Sequence, residues 1–140
     1  MTDGNLTSGN AMPSLDANCI LPWLLDDVPE QTELVTELVN SDETFALADA
    51  ALIEVVFVLE KLYRISRESI EKAVMTVIGK DNILFNKELF IEILPIYKGH
   101  PKLSFVDCYL EVFARRTNTA PLLTFDQKLA NQLSGTKLLS

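Results

Sequence analysis

Histidine and cysteine are nearly missing from this chain: one His and two Cys in 140 residues. With no His or Cys pair at ligand spacing, a thiolate or imidazole metal centre is excluded, and any bound metal has to be held by oxygen. Cys19 and Cys108 both fall in apolar stretches and read as buried free thiols rather than a disulfide. No apolar run approaches the roughly 20 residues that cross a bilayer, so no membrane is expected as a partner. The opening MTDGNLTSGN lacks the basic and apolar regions of a secretory signal. A cytoplasmic location is therefore expected, with 1–11 a disordered polar tail ahead of a single domain over 12–140. Basic residues are scarce as well: 12 Lys and Arg stand against 20 Asp and Glu, a net charge of −8. That balance argues against a broad electrostatic footprint for nucleic acid, but it is also what a set of acidic ligands would produce.

What is present suits a globular fold. The hydrophobic fraction is 48% with 23% charged residues, and the length is enough to bury a core. Short apolar runs at 12–16, 44–48, 82–85 and 121–125 read as strands, with a terminal strand at 136–139. Between them, helical spacing is expected over 18–25, 30–40, 50–64, 67–78, 87–97, 104–116 and 127–133. In 30–40 the apolar positions are Leu34, Val35, Leu38 and Val39. Ser66 caps the helix that Gly79 stops, and Asp49 and Asn86 stand where caps are needed. Strands alternating with helices point to the α/β class, with a parallel sheet between helices.

Most of the 20 acids belong on solvated faces, and position separates a few. Asp16 closes the first strand and Asp126 the fourth, while Asp107 falls in the first turn of a helix. Glu54 interrupts ALIEVVFVL, residues 51–59, where it is the one charge among apolar neighbours. An isolated buried carboxylate costs several kcal/mol, so Glu54 is expected to be buried against a compensating cation, the alternative being that it lies on the one exposed stripe of its helix. In open α/β sheets the carboxyl ends of strands and the helix starts beyond them form the ligand edge, and all four acids can converge there. Converging carboxylates need compensation, which Mg²⁺ or Mn²⁺ supplies through oxygen ligands. Each acid also has a structural reading: Ser104 and Asp107 make a capping box, Thr124 and Gln127 flank Asp126 as a second, and Asp16 suits a turn or cap. Glu111, one turn after Asp107, reads as a fifth acid or a surface residue. Arg115 and Arg116 end a helix, and His100 reads as exposed in a Gly-Pro loop.

Four motifs, in order, resemble the PIN domain family, and within it the small VapC-type toxins of toxin–antitoxin pairs. Leu15-Asp16-Ala17-Asn18 is similar to the family's opening D-x-N, with Ala17 where many members carry Thr or Ser. Ile53 to Glu60 resembles its Glu-bearing helix, Ser104 to Leu110 its S-x-x-D start, and Leu122 to Leu129 its T-F-D-x-K-L block. The resemblance implies an α/β/α sandwich with a mainly parallel sheet of four or five strands. It implies Asp16, Glu54, Asp107 and Asp126 as catalytic, metal-holding acids, with Asn18, Ser104 and Thr124 supporting them and Mg²⁺ or Mn²⁺ as cofactor. It further implies endoribonuclease activity on an RNA substrate, a homodimer, and a small antitoxin partner. Lys61, Arg64, Arg115, Arg116 and Lys128 are the candidates to meet phosphates. A non-catalytic binding module on the same fold, or a nuclease acting on DNA, is the alternative.

Overall fold

Helix starts are set by the residues that satisfy the first backbone N–H groups, which have no partner inside a helix. The computed structural model describes residues 12–139, so the expected tail at 1–11 lies outside the described residues. In chain order the elements are β1 (Ser14–Leu15), α1 (Ala17–Leu25), α2 (Pro29–Val39), β2 (Phe45–Leu47), α3 (Asp49–Lys61) and α4 (Arg67–Ile78). There follow β3 (Ile83–Leu84), α5 (Lys87–Gly99), α6 (Phe105–Arg116), β4 (Leu122–Thr124), α7 (Gln127–Gln132) and β5 (Thr136–Leu138). Ser66 caps α4 as expected, its Oγ accepting from the Ser69 N–H, and Gly79 stands as its C-cap. Pro29 opens α2 from its first position, where a missing N–H costs nothing.

Two expected caps are not caps. Ala48 stands before α3 with no side-chain cap, and Asp49 is already the first helical residue. Asn86 precedes α5, but its side chain makes no capping bond and its amide donates to Asp49 instead. Both side chains are drawn away by a tertiary partner that local sequence does not reveal.

Among the described residues all strand pairing is parallel. β2 lies between β1 and β3, with Leu15 beside Leu47 and Phe45 beside Ile83, while β4 pairs with β5. The five expected strands thus form, but their hydrogen bonds gather them as three and two rather than in one continuous sheet. The strands are only two or three residues long, and β4 leaves Leu123 56% exposed, so it is not enclosed as a central strand would be. Because β1, β2 and β3 run the same way, Asp16, Asp49 and Asn86 all leave the same edge of that sheet.

Helix α3 packs on α1, α4 and α6 and carries the centre of the core. Its buried residues are Leu52, Val55, Val56 and Leu59, the i, i+3, i+4, i+7 stripe of a single helix face. Each such side chain contributes roughly 1.5–3 kcal/mol by leaving water. On α2 the stripe is narrower than expected: Val35 and Val39 are buried, whereas Leu34 is 63% and Leu38 39% exposed. Among the described residues no helix is long and apolar enough to cross a membrane.

Both cysteines are free thiols; Cys108 is fully buried and Cys19 only partly, a departure from two buried thiols. Burial pushes the Cys108 thiol up to about 11. A thiol reagent at pH 8 should therefore titrate one Cys per native chain and the second only after denaturation. Rapid modification of both in the native protein would contradict this packing.

Candidate functional site

Three of the four expected acids stand at helix starts. Asp16 caps α1, its Oδ1 accepting the N–H groups of Asn18 at 2.8 Å and Cys19 at 3.2 Å. Asp126 caps α7 through Oδ1, which accepts the Leu129 N–H at 3.2 Å. Asp107 completes the capping box of α6: its Oδ2 accepts the Ser104 N–H at 3.1 Å, and Ser104 Oγ accepts the Asp107 N–H at 3.0 Å. In each case one carboxylate oxygen is engaged and the other has no donor among the described residues. The positive end of a helix dipole faces all three.

The supporting residues act through the backbone. Asn18 donates its main-chain N–H to Asp16, and the residue lines an open cleft of about 430 Å³ that extends to Asp27, Gln31 and Tyr63. Thr124 Oγ1 accepts the Asp126 N–H at 2.9 Å and so holds the turn that aims the carboxylate. The second capping box does not form, because Asp126 itself is the cap and Gln127 the first helical residue.

Glu54 is exposed, which corrects the expectation that it is buried against a cation. In ALIEVVFVL the apolar residues hide the period: Ala50, Glu54, Phe57 and Lys61 form the stripe opposite the core, and Phe57 is 57% exposed. Glu54 has no hydrogen-bond partner among the described residues. Ile53, Phe57 and Lys61 nevertheless share a cavity of about 230 Å³ with Ser104 and Val106, so this part of α3 lies alongside the start of α6.

In kind, the donors fit a hard divalent cation, since they are carboxylate oxygens and three of the carboxylates are pinned with one oxygen open. In spacing they stand apart: among the described residues no three of His, Cys, Asp and Glu gather closely enough to hold an ion.

The expected phosphate contacts are reduced. Arg115 grips Glu111 through Nε at 2.7 Å and Nη2 at 3.1 Å, and reaches Glu92 through Nη1 at 2.7 Å. Arg116 also binds Glu92, at 2.8 Å. Hydrogen bonds from Arg116 and then Arg115 hold the Glu92 carboxyl below the usual range. Glu111 is neither a fifth site acid nor a surface residue, because it is 3% exposed and paired. Lys61, Arg64 and Lys128 have no such partner among the described residues. His100 is half-buried rather than exposed, with Nδ1 2.7 Å from the Ile96 carbonyl.

Two features escaped the sequence reading. Asp49 accepts Tyr109 Oη at 2.7 Å and the Asn86 amide at 3.0 Å, tying α6 and the end of β3 to the start of α3. Burial first, then this bond, pushes the Tyr109 hydroxyl up to about 12. The other is Arg67, which read only as the first residue of a helix. Asp49 carried a signal in its position beyond a strand end, but Arg67 carried none.

No relative with a curated description matches the chain. A family model described as PIN domain matches residues 14–132, a span that takes in Asp16, Glu54, Asp107 and Asp126, and the chain therefore belongs to the PIN domain family.

Proposed function

We propose that this chain, a member of a family made up in general of nucleases, is a metal-dependent endoribonuclease. The observation that carries the reading is the shared state of Asp16, Asp107 and Asp126: each is fixed at a helix start by one oxygen and presents the other. In this reading these three and Glu54 hold Mg²⁺ or Mn²⁺. The ion would orient a phosphodiester, lower the pKa of a water and offset developing charge. The chain's own part is positional. Ser104 and Thr124 fix two of the carboxylates, and Glu54 is exposed on α3 with no hydrogen-bond partner among the described residues. Lys61, Arg64 and Lys128 are the cations left for phosphates.

Labelled single-stranded RNA incubated with the purified chain should be cut in Mg²⁺ or Mn²⁺ and left intact with chelator, and matched DNA should be cut more slowly. RNA left intact with either metal would sink the reading. One observation favours the alternative, a non-catalytic module on the same fold: no three acids gather as the structure stands. The same assay decides between them.

A toxin role, with a small antitoxin and a homodimer in the cytoplasm, belongs to this proposal. A protein contact of this kind is supported by the apolar stripe of Val106, Leu110 and Phe113, 42%, 41% and 39% exposed along α6. Light scattering that gave a monomer at every accessible concentration would remove the homodimer.

A further inference from the structure

Arg67, at the first position of α4, is engaged on every side by groups from other elements. Its Nη1 donates to the carbonyls of Tyr97 at 2.7 Å and His100 at 3.1 Å, at the C-terminal end of α5. Its Nη2 donates to the Leu103 carbonyl at 2.7 Å. Nε lies 3.3 Å from Glu60 on α3, and the guanidinium sits 4.1 Å over the buried Tyr97 ring. Tyr97 Oη in turn donates to Glu60 at 2.9 Å. A planar fork with five donors suits this geometry, and a Lys ammonium cannot reproduce it.

The Leu103 carbonyl and the Ser104 N–H belong to a single peptide group. Arg67 binds its oxygen, and Asp107 Oδ2 accepts from its nitrogen. A cation on the carbonyl polarises the peptide and strengthens the N–H as a donor, and it also fixes the plane in which that N–H points. We propose that Arg67 is a positioning residue for Asp107, acting through the Leu103–Ser104 peptide. It joins the end of α5 to the start of α6 and so sets the direction in which the open oxygen of Asp107 is presented. The proposal rests on the nuclease reading for its consequence in metal binding, but the coupling between the two side chains does not.

The test compares the wild-type chain with Arg67→Gln and Arg67→Lys. Three readouts are followed: amide exchange of Ser104 by NMR, Mn²⁺ affinity by EPR, and RNA cleavage resolved into kcat and KM. In Arg67→Gln the Ser104 amide should exchange about tenfold faster while core amides of α6 stay protected, and Mn²⁺ should bind about tenfold more weakly. The loss of cleavage should fall on kcat, and Arg67→Lys should restore only part of each effect. Should Arg67→Gln fail to fold, Arg67→Lys carries the same readouts alone. A variant that melts earlier but keeps the Ser104 amide and Mn²⁺ affinity of wild type would overturn the proposal and leave Arg67 a purely structural clamp. A wild-type chain that neither binds Mn²⁺ nor cuts RNA, together with variants that still release the Ser104 amide, would sink the nuclease reading and uphold the coupling.

Discussion

Asp107→Asn should lower RNA cleavage by about a hundredfold or more and leave the fold intact. The separation of the two effects follows from what each oxygen does. Oδ2 accepts the Ser104 N–H within the capping box, and an asparagine carbonyl can accept the same bond. At the third position of the helix the substitution keeps the acceptor and loses only the charge facing the helix dipole, so the stability change should stay within about 1 kcal/mol. The other oxygen becomes an amide nitrogen, which donates and cannot bind a cation. Outer partners of a metal ligand already account for roughly 10–100-fold in affinity or activity, so under the proposed function, which makes Asp107 a ligand itself, its loss should cost at least the upper end. Asp16→Asn should behave alike, since its Oδ1 takes the capping N–H groups. Circular dichroism melts and cleavage of labelled RNA check both parts. Cleavage at the wild-type rate would remove Asp107 from the site. Loss of the fold, with the capping acceptor retained, would show that the charge at the helix start, not chemistry, is why a carboxylate stands there.

The contrast between these acids and Glu54 marks how far the sequence is readable. Asp16, Asp107 and Asp126 follow local rules, because a cap is settled within three residues and the chain spells it out. Ser66 and Gly79 were legible for the same reason. The exposure of Glu54 is not legible because ALIEVVFVL offers apolar residues on both faces, and only the packing of Leu52, Val55, Val56 and Leu59 decides which face turns inward. Asn86 and Asp49 depart from capping because they hydrogen-bond across 37 residues of sequence, and no local pattern encodes such a partner. Arg67 reaches carbonyls 30 to 36 residues away, and backbone acceptors leave no trace in residue identity. The parallel α/β class was legible from alternation, whereas the division of its strands into three and two was not, because hydrogen bonds between strands are nonlocal.

Gly135→Ala should lower stability by about 2–3 kcal/mol, although it removes no apolar contact. Gly135 lies between α7 and β5, and a Cβ there would run into Glu111 Oε2, lie 3.1 Å from Glu111 Cδ and 3.3 Å from Arg115 Cδ. The backbone has little room to retreat, because the Gly135 carbonyl accepts the Leu122 N–H at 2.9 Å where β4 meets β5. The carboxylate must therefore move, and with it the two bonds from Arg115. Breaking a fully buried ion pair costs about 3–5 kcal/mol. Here Glu111 is 3% exposed but Arg115 is 37% exposed and can turn to water, which discounts the figure. Arg115→Met should cost a similar amount by leaving Glu111 buried without its cation. The double variant Glu111→Leu with Arg115→Met should recover most of that loss, since it removes the stranded charge as well. Urea unfolding of the four proteins separates the contributions. If Gly135→Ala unfolds at the wild-type midpoint, Glu111 can move without cost. A double variant no more stable than Arg115→Met alone would show that the arginine acts by packing its stem, not by its charge.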